Sequence, residues 1–131
     1  MPLEPGISRA DEFTVDERLT TDVGGTLAVR VLSTPGMIGV MESNAATLAR
    51  EHLPEGKATV GFEVCVKHVA GAPEGARLSV SALLREVVDG RKLRFDVEVS
   101  DGERTIGVGT HERRVVDVAQ HAGAAGGRAR G

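Results

Sequence analysis

Three features of the sequence predict an α+β fold, one long helix enclosed by an antiparallel sheet. Only STPGMIGVMESNAATLAREHL, at 33–53, has apolar spacing that suits a helix of several turns. Almost everything after it alternates apolar and polar residues, as strands do. Two Asp-Gly pairs, at 89–90 and 101–102, then join three long strands into a meander.

The bulk composition bounds the function. A chain of 131 residues is one domain, large enough to bury a core. With three Phe and no Trp or Tyr, that core is built from Val, Leu, Ile, Met and Ala. The same scarcity of aromatics argues against a stacking platform for single-stranded nucleic acid. A net charge of −3 gives no general attraction to phosphate backbones. No apolar run of membrane-spanning length occurs, and MPLEPGISRADEF lacks the character of a signal peptide. The single cysteine, Cys65, cannot form an internal disulfide, and a cytoplasmic location is the simplest setting for it.

Taken in order, residues 1–12 are expected to form a loose arm and 13–119 the folded domain. Phe13, Val15 and Leu19 suit a short first strand, TTDVGGT a turn, and Leu27, Val29 and Val31 a strand leading into the helix. Ser33 or Thr34 can cap the helix, and Pro35 suits its first position because it has no amide to leave unpaired. Met37, Met41, Ala45, Leu48 and His52 fall on one helical face, Glu42 lies at its margin, and PEG at 54–56 ends the helix. In ATVGFEVCVKHVA, simple alternation puts Val60, Phe62, Val64, Val66 and His68 on the face toward the helix. Cys65 falls on the other face and reads as a small buried hydrophobe. Strands are expected over 76–88, 91–100 and TIGVGTHERRVVDV. Gly107 and Gly109 point to close backbone approach or curvature in the last of them. The Gly/Ala/Arg-rich tail, 120–131, is expected to be disordered.

Thr34, Glu42 and His68 are the candidate chemistry. A helix N-terminus offers free amides and partial positive charge to an oxyanion or thioester carbonyl. A carboxylate and an imidazole can share acid–base work on water or a hydroxyl. Each also has a purely structural explanation: a cap, a solvated margin residue, a hydrogen-bonded core histidine. His111, in GTHER, shares a face with Gly107 and Gly109 and could lie near a site; His52 suits the negative end of the helix dipole, and His121 lies in the tail. No histidine–carboxylate spacing matches a zinc site, so no metal is expected.

TPGMIGVME at 34–42, VGFEVCVKH at 60–68, LLREVVDGRKLRFDVEVSDG and GVGTHER at 107–113 together resemble the fluoroacetyl-CoA thioesterase type of hotdog-fold protein. The resemblance runs from about Phe13 to Val118. It implies an antiparallel sheet wrapped around one long helix, a homodimer, and hydrolysis of an acyl-CoA thioester with no cofactor. By the same resemblance Thr34, Glu42 and His68 are the catalytic set. Gly61 matches a glycine whose amide contacts the ligand, and Arg113 an arginine associated with ligand binding.

One segment departs from the pattern. Where fluoroacetyl-CoA-specific members carry a longer, Phe-containing lid, this chain has TTDVGGTLAVRVLS, and no Phe lies between Phe13 and Phe62. The resemblance therefore implies a small acyl-CoA substrate without specifying fluoroacetyl-CoA. Two rival readings are a non-catalytic acyl-CoA or small-molecule binder in the same groove and an enoyl-CoA hydratase. The second is disfavoured because no Asp-His pair accompanies the helix.

Overall fold

Strand-forming alternation on both sides of one helix builds a curled sheet around it. A computed structural model of the chain describes residues 2–120. The strands are β1 (Ser8–Thr14), β2 (Thr20–Thr21), β3 (Val31–Leu32), β4 (Lys57–His68), β5 (Arg77–Val88), β6 (Lys92–Ser100) and β7 (Thr105–Asp117). A single 3-10 turn, Glu17–Leu19, follows β1, and the helix α1 covers Thr34–Arg50. The main sheet is antiparallel in the order β1-β5-β6-β7-β4, with β2 and β3 forming a separate two-stranded ribbon. No helix among the described residues is long and apolar enough to cross a membrane. The expected tail, apart from Gln120, lies outside the described residues, as does His121.

α1 buries Met37, Met41, Ala45, Leu48 and Ala49 against Leu78, Val80, Leu84, Leu93, Phe95 and Val97 of the sheet. The helix therefore sits where the sequence pattern puts it, although His52 lies beyond its end and is only half-buried. The approach to the sheet is close at Gly107, where an added Cβ would lie 2.7 Å from Met37 Cε. A side chain there would overpack the core.

Three expectations are corrected. β1 begins at Ser8, inside the stretch expected to be a loose arm, and pairs with β5 along its length. Its inward positions include Arg9 and Asp11, so hydrophobic alternation does not reveal it. They are held by hydrogen bonds instead: Arg9 Nε and Asn44 Nδ2 both donate to Asp11 Oδ2 at 2.8 Å, and Arg9 Nη1 donates to Glu51 Oε2 at 2.7 Å. Leu27 and Val29 are exposed, and only Val31–Leu32 of their segment is strand. Val23, Gly24 and Gly25 all take positive φ, which turns the chain before it can extend. Cys65 is exposed rather than buried, because β4 is paired on one side only and Cys65 is on its outer face.

The fourth difference repositions the site. β4 carries a bulge between Gly61 and Glu63: Gly61 pairs with Arg113, and Glu63 with Glu112, leaving Phe62 as the extra residue. One extra residue reverses the facing of everything on one side of it. Val64, Val66 and His68 keep the inward face, but Val60 and Phe62 leave it and Gly61 joins it. Phe62 is 59% exposed, with the Arg114 guanidinium 3.6 Å from its ring centre.

Candidate active site

The helix start is built from two hydroxyl residues with separate tasks. Ser33 is the cap: its Oγ accepts from the Gly36 amide at 3.0 Å and donates to the Leu19 carbonyl at 3.1 Å. That frees Thr34, whose Oγ1 lies 2.9 Å from Nδ1 of His68 at the end of β4. The other ring nitrogen, Nε2, is buried and has no hydrogen-bonding partner among the described residues. His68 also lines a hollow of about 300 Å³, together with Val31, Leu32, Val69, Ala70 and Gly71. A hydroxyl, an imidazole and a helix N-terminus thus meet at one point.

The second cluster lies two helical turns away. Glu42 Oε2 lies 4.0 Å from Arg113 Nη1, and would lie 2.9 Å from a Cβ on Gly61. Absence of a side chain at Gly61 is what lets the carboxylate rest over the strand. Arg113 is buried, with Nε donating to Thr59 Oγ1 at 2.8 Å and Nη2 to the Thr59 carbonyl at 3.1 Å. Its Nη1 lies 3.1 Å from Nε2 of His111. Burial lowers the Arg113 pKa from its ordinary value while Glu42 opposes the shift. An open hollow of about 310 Å³ is lined by Glu42, Gly61, Phe62, Glu63 and Val64.

The chain therefore brings the five expected residues together as two groups: Thr34 with His68, and Glu42 with Gly61 and Arg113. Along the helix axis Thr34 and Glu42 are about 12 Å apart, so Glu42 does not join the Thr34–His68 pair within one chain. A hollow of about 700 Å³ lies on the outer face of the sheet among Ser81, Leu83, Asp96, Glu98 and Val108, and touches none of the five. Sequence reasoning missed Thr59, which anchors Arg113 and has no motif to betray it. It also missed the burial of Asn44. His111 was placed near the site by its face alone, and the structure joins it to Arg113.

A helix wrapped by an antiparallel sheet, with polar pairs where the helix meets β4 and β7, is the layout of a hotdog-fold protein. Residues 15–119 match the FlK family, described as fluoroacetyl-CoA-specific thioesterase, and the chain belongs to that family. The fluoroacetyl-CoA thioesterase of Streptantibioticus cattleyicolor is 40% identical over 86 residues, 66% of this chain. The aligned stretch spans 61% of that relative's length. A solved structure of the fluoroacetyl-CoA thioesterase FlK superposes with a TM-score of 0.85 at 29% identity, covering 95% of this chain and 96% of that one. A Thermus thermophilus thioesterase superfamily member gives 0.84 at 26% identity, covering 98% and 94%. The hotdog fold and the family expected from the sequence are thereby established.

Proposed function

We propose that the protein is an acyl-CoA thioesterase in which Thr34, Glu42 and His68 are catalytic and Gly61 and Arg113 complete the substrate-binding wall. The observation that carries this reading is the 2.9 Å contact between Thr34 Oγ1 and His68 Nδ1 at the start of α1. In this proposal the thioester carbonyl lies there, against the partial positive charge of the α1 N-terminus. Glu42 either takes a proton from a water that attacks the carbonyl carbon, or attacks that carbon itself to give an acyl-glutamyl anhydride that water then hydrolyses. In both routes the C–S bond breaks, and the departing thiolate leaves as the thiol with a proton that His68 relays from water. The Gly61 amide is the proposed oxyanion donor. Arg113, with most of its N–H groups committed, supports the wall from behind by holding Glu42. A solved FlK variant carries fluoroacetate and CoA; here the short, Phe-free segment before α1 favours a small acyl-CoA without the fluorine test.

The working unit in this proposal is a homodimer, in the cytoplasm that the lone Cys65 suits. β4 is a twelve-residue edge strand, with Phe62 and Val69 exposed on it and just past its end. In the proposed dimer a second copy pairs antiparallel with β4 about a two-fold axis, in the register that puts His68 of each protomer opposite Gly61 of the other. Each site then takes Thr34 and His68 from one protomer and Glu42, Gly61 and Arg113 from its partner. That arrangement supplies what the single chain separates.

A panel of acyl-CoAs of increasing chain length, followed by release of free thiol, tests the proposal. Turnover is expected, with H68A and E42Q each reducing it at least about tenfold to a hundredfold. Tight acyl-CoA binding with no thiol release would instead establish a binding protein.

A further inference from the structure

His111 makes two contacts that together fix its protonation. Its Nδ1 lies 2.8 Å from the Glu63 carbonyl, which can only accept, so Nδ1 carries the hydrogen. Its Nε2 lies 3.1 Å from Arg113 Nη1, which can only donate, so Nε2 presents a lone pair. The ring is neutral and is held in a single tautomer. Phe95 stacks beside it, with ring centres 6.3 Å apart. The charged groups acting on it are Arg113 on β7 and Glu42 on α1, while β4 contributes only the Glu63 carbonyl and β6 the Phe95 ring.

We infer that His111 is a positioning residue for the proposed hydrolysis: anchored to the Glu63 carbonyl, it accepts from Arg113 and keeps that guanidinium turned toward Glu42. Arg113 has three anchors: Nε and Nη2 on Thr59 fix the plane of the guanidinium, and Nη1, the nitrogen that faces the carboxylate, is bonded directly to His111. The Glu63 carbonyl belongs to the bulge, so the irregularity that turns Gly61 inward also fixes the imidazole that aims Arg113. Burial supports the neutral ring, holding the His111 pKa below its ordinary value. A charged ring would meet Arg113 donor to donor and lose the contact.

This inference rests on the proposed thioesterase reading, and its experiments separate the two. In H111L the acceptor is gone; kcat is expected to fall about tenfold with KM changed less than about twofold, because positioning of Glu42 is lost rather than substrate affinity. In H111Q the side-chain oxygen can accept from Arg113 while the amide donates to Glu63, and most of the lost kcat should return. A folded H111L with wild-type kcat would overturn the assignment, as would H111Q that is folded yet no better than H111L. If H111L does not fold, 15N spectra of the wild-type imidazole decide. A protonated Nδ1 with a bare Nε2 at pH 7 supports the inference, and the opposite tautomer or a doubly protonated ring overturns it. Wild-type protein with no turnover on any acyl-CoA would sink the thioesterase reading, and the role assigned to His111 in that reaction with it, whatever the spectra report.

Discussion

Gly61 has no side chain at the point where a Cβ would come within 2.9 Å of the Glu42 carboxylate. The clash falls on the free end of a flexible, half-exposed glutamate rather than on backbone. G61A should therefore fold with nearly unchanged thermal stability while its carboxylate swings away from Arg113. Thiol release is expected to fall at least about tenfold, since displacement of a catalytic group by about 1 Å can cost a hundredfold. Wild-type turnover in G61A would remove Glu42's placement from the mechanism.

The division between Ser33 and Thr34 separates stability from chemistry. S33A removes the cap and should destabilise the protein by about 1 kcal/mol, measured by urea denaturation, with thiol release of the folded protein preserved. T34V leaves the cap in place but removes the hydroxyl beside His68, so it should keep its melting temperature and lose at least about tenfold in kcat. T34S should retain most of the activity.

The proposed sharing of sites across a two-fold axis makes a mixing prediction. H68A and E42Q homodimers, each nearly inactive, are dissociated, mixed and refolded together. A mixed dimer holds one site with both native residues, so random assortment should restore about a quarter of wild-type activity. No recovery from demonstrably mixed dimers would place each site within one protomer. A monomer by light scattering at micromolar concentration would remove the shared site altogether.

His111 should also mark the pH dependence of stability. Its native pKa lies below the ordinary value of about 6.5, so the unfolded chain binds a proton that the native ring refuses. Stability is then full above the unfolded value and is lost as pH falls from about 6.5 toward the lowered native value. The melting temperature of H111Q should decline less over that window than that of the wild type. At lower pH a different group takes over. Asp101 accepts from the Arg104 and Glu103 amides and pairs with Arg104, which lowers its pKa to about 2, so its contribution fades as pH drops below the ordinary carboxylate range. Parallel melting curves for the wild type and H111Q between pH 7.5 and pH 5, on the order of the window named, would contradict the buried neutral ring.

The helix and meander were legible because their signals are local. Met37, Met41 and Leu48 recur at helical spacing, and the two Asp-Gly pairs set the turns at 89–90 and 101–102. The start of β1, ahead of Phe13, was missed because its inward face includes Arg9 and Asp11, partly buried side chains held by Asn44 and Glu51 from a distant part of the chain. The bulge at Phe62 was missed for a related reason. An inserted residue is invisible in a pattern that alternates perfectly, and becomes visible only when Gly61 and Glu63 take partners on β7.

By itself the sequence determined the α+β class, the capped helix and the residue types available for chemistry, because hydrophobic period, turn residues and composition act over a few positions. Tertiary structure decided how those residues combine. It gave the cap to Ser33 and left Thr34 for His68, turned Gly61 beneath Glu42, and fixed the His111 tautomer between a carbonyl and a guanidinium. It also set Glu42 two turns from Thr34 on α1, so that they meet separate stretches of the edge strand β4, Gly61 and His68. Each of these depends on register between strands far apart in the chain, and register is a property of the whole sheet.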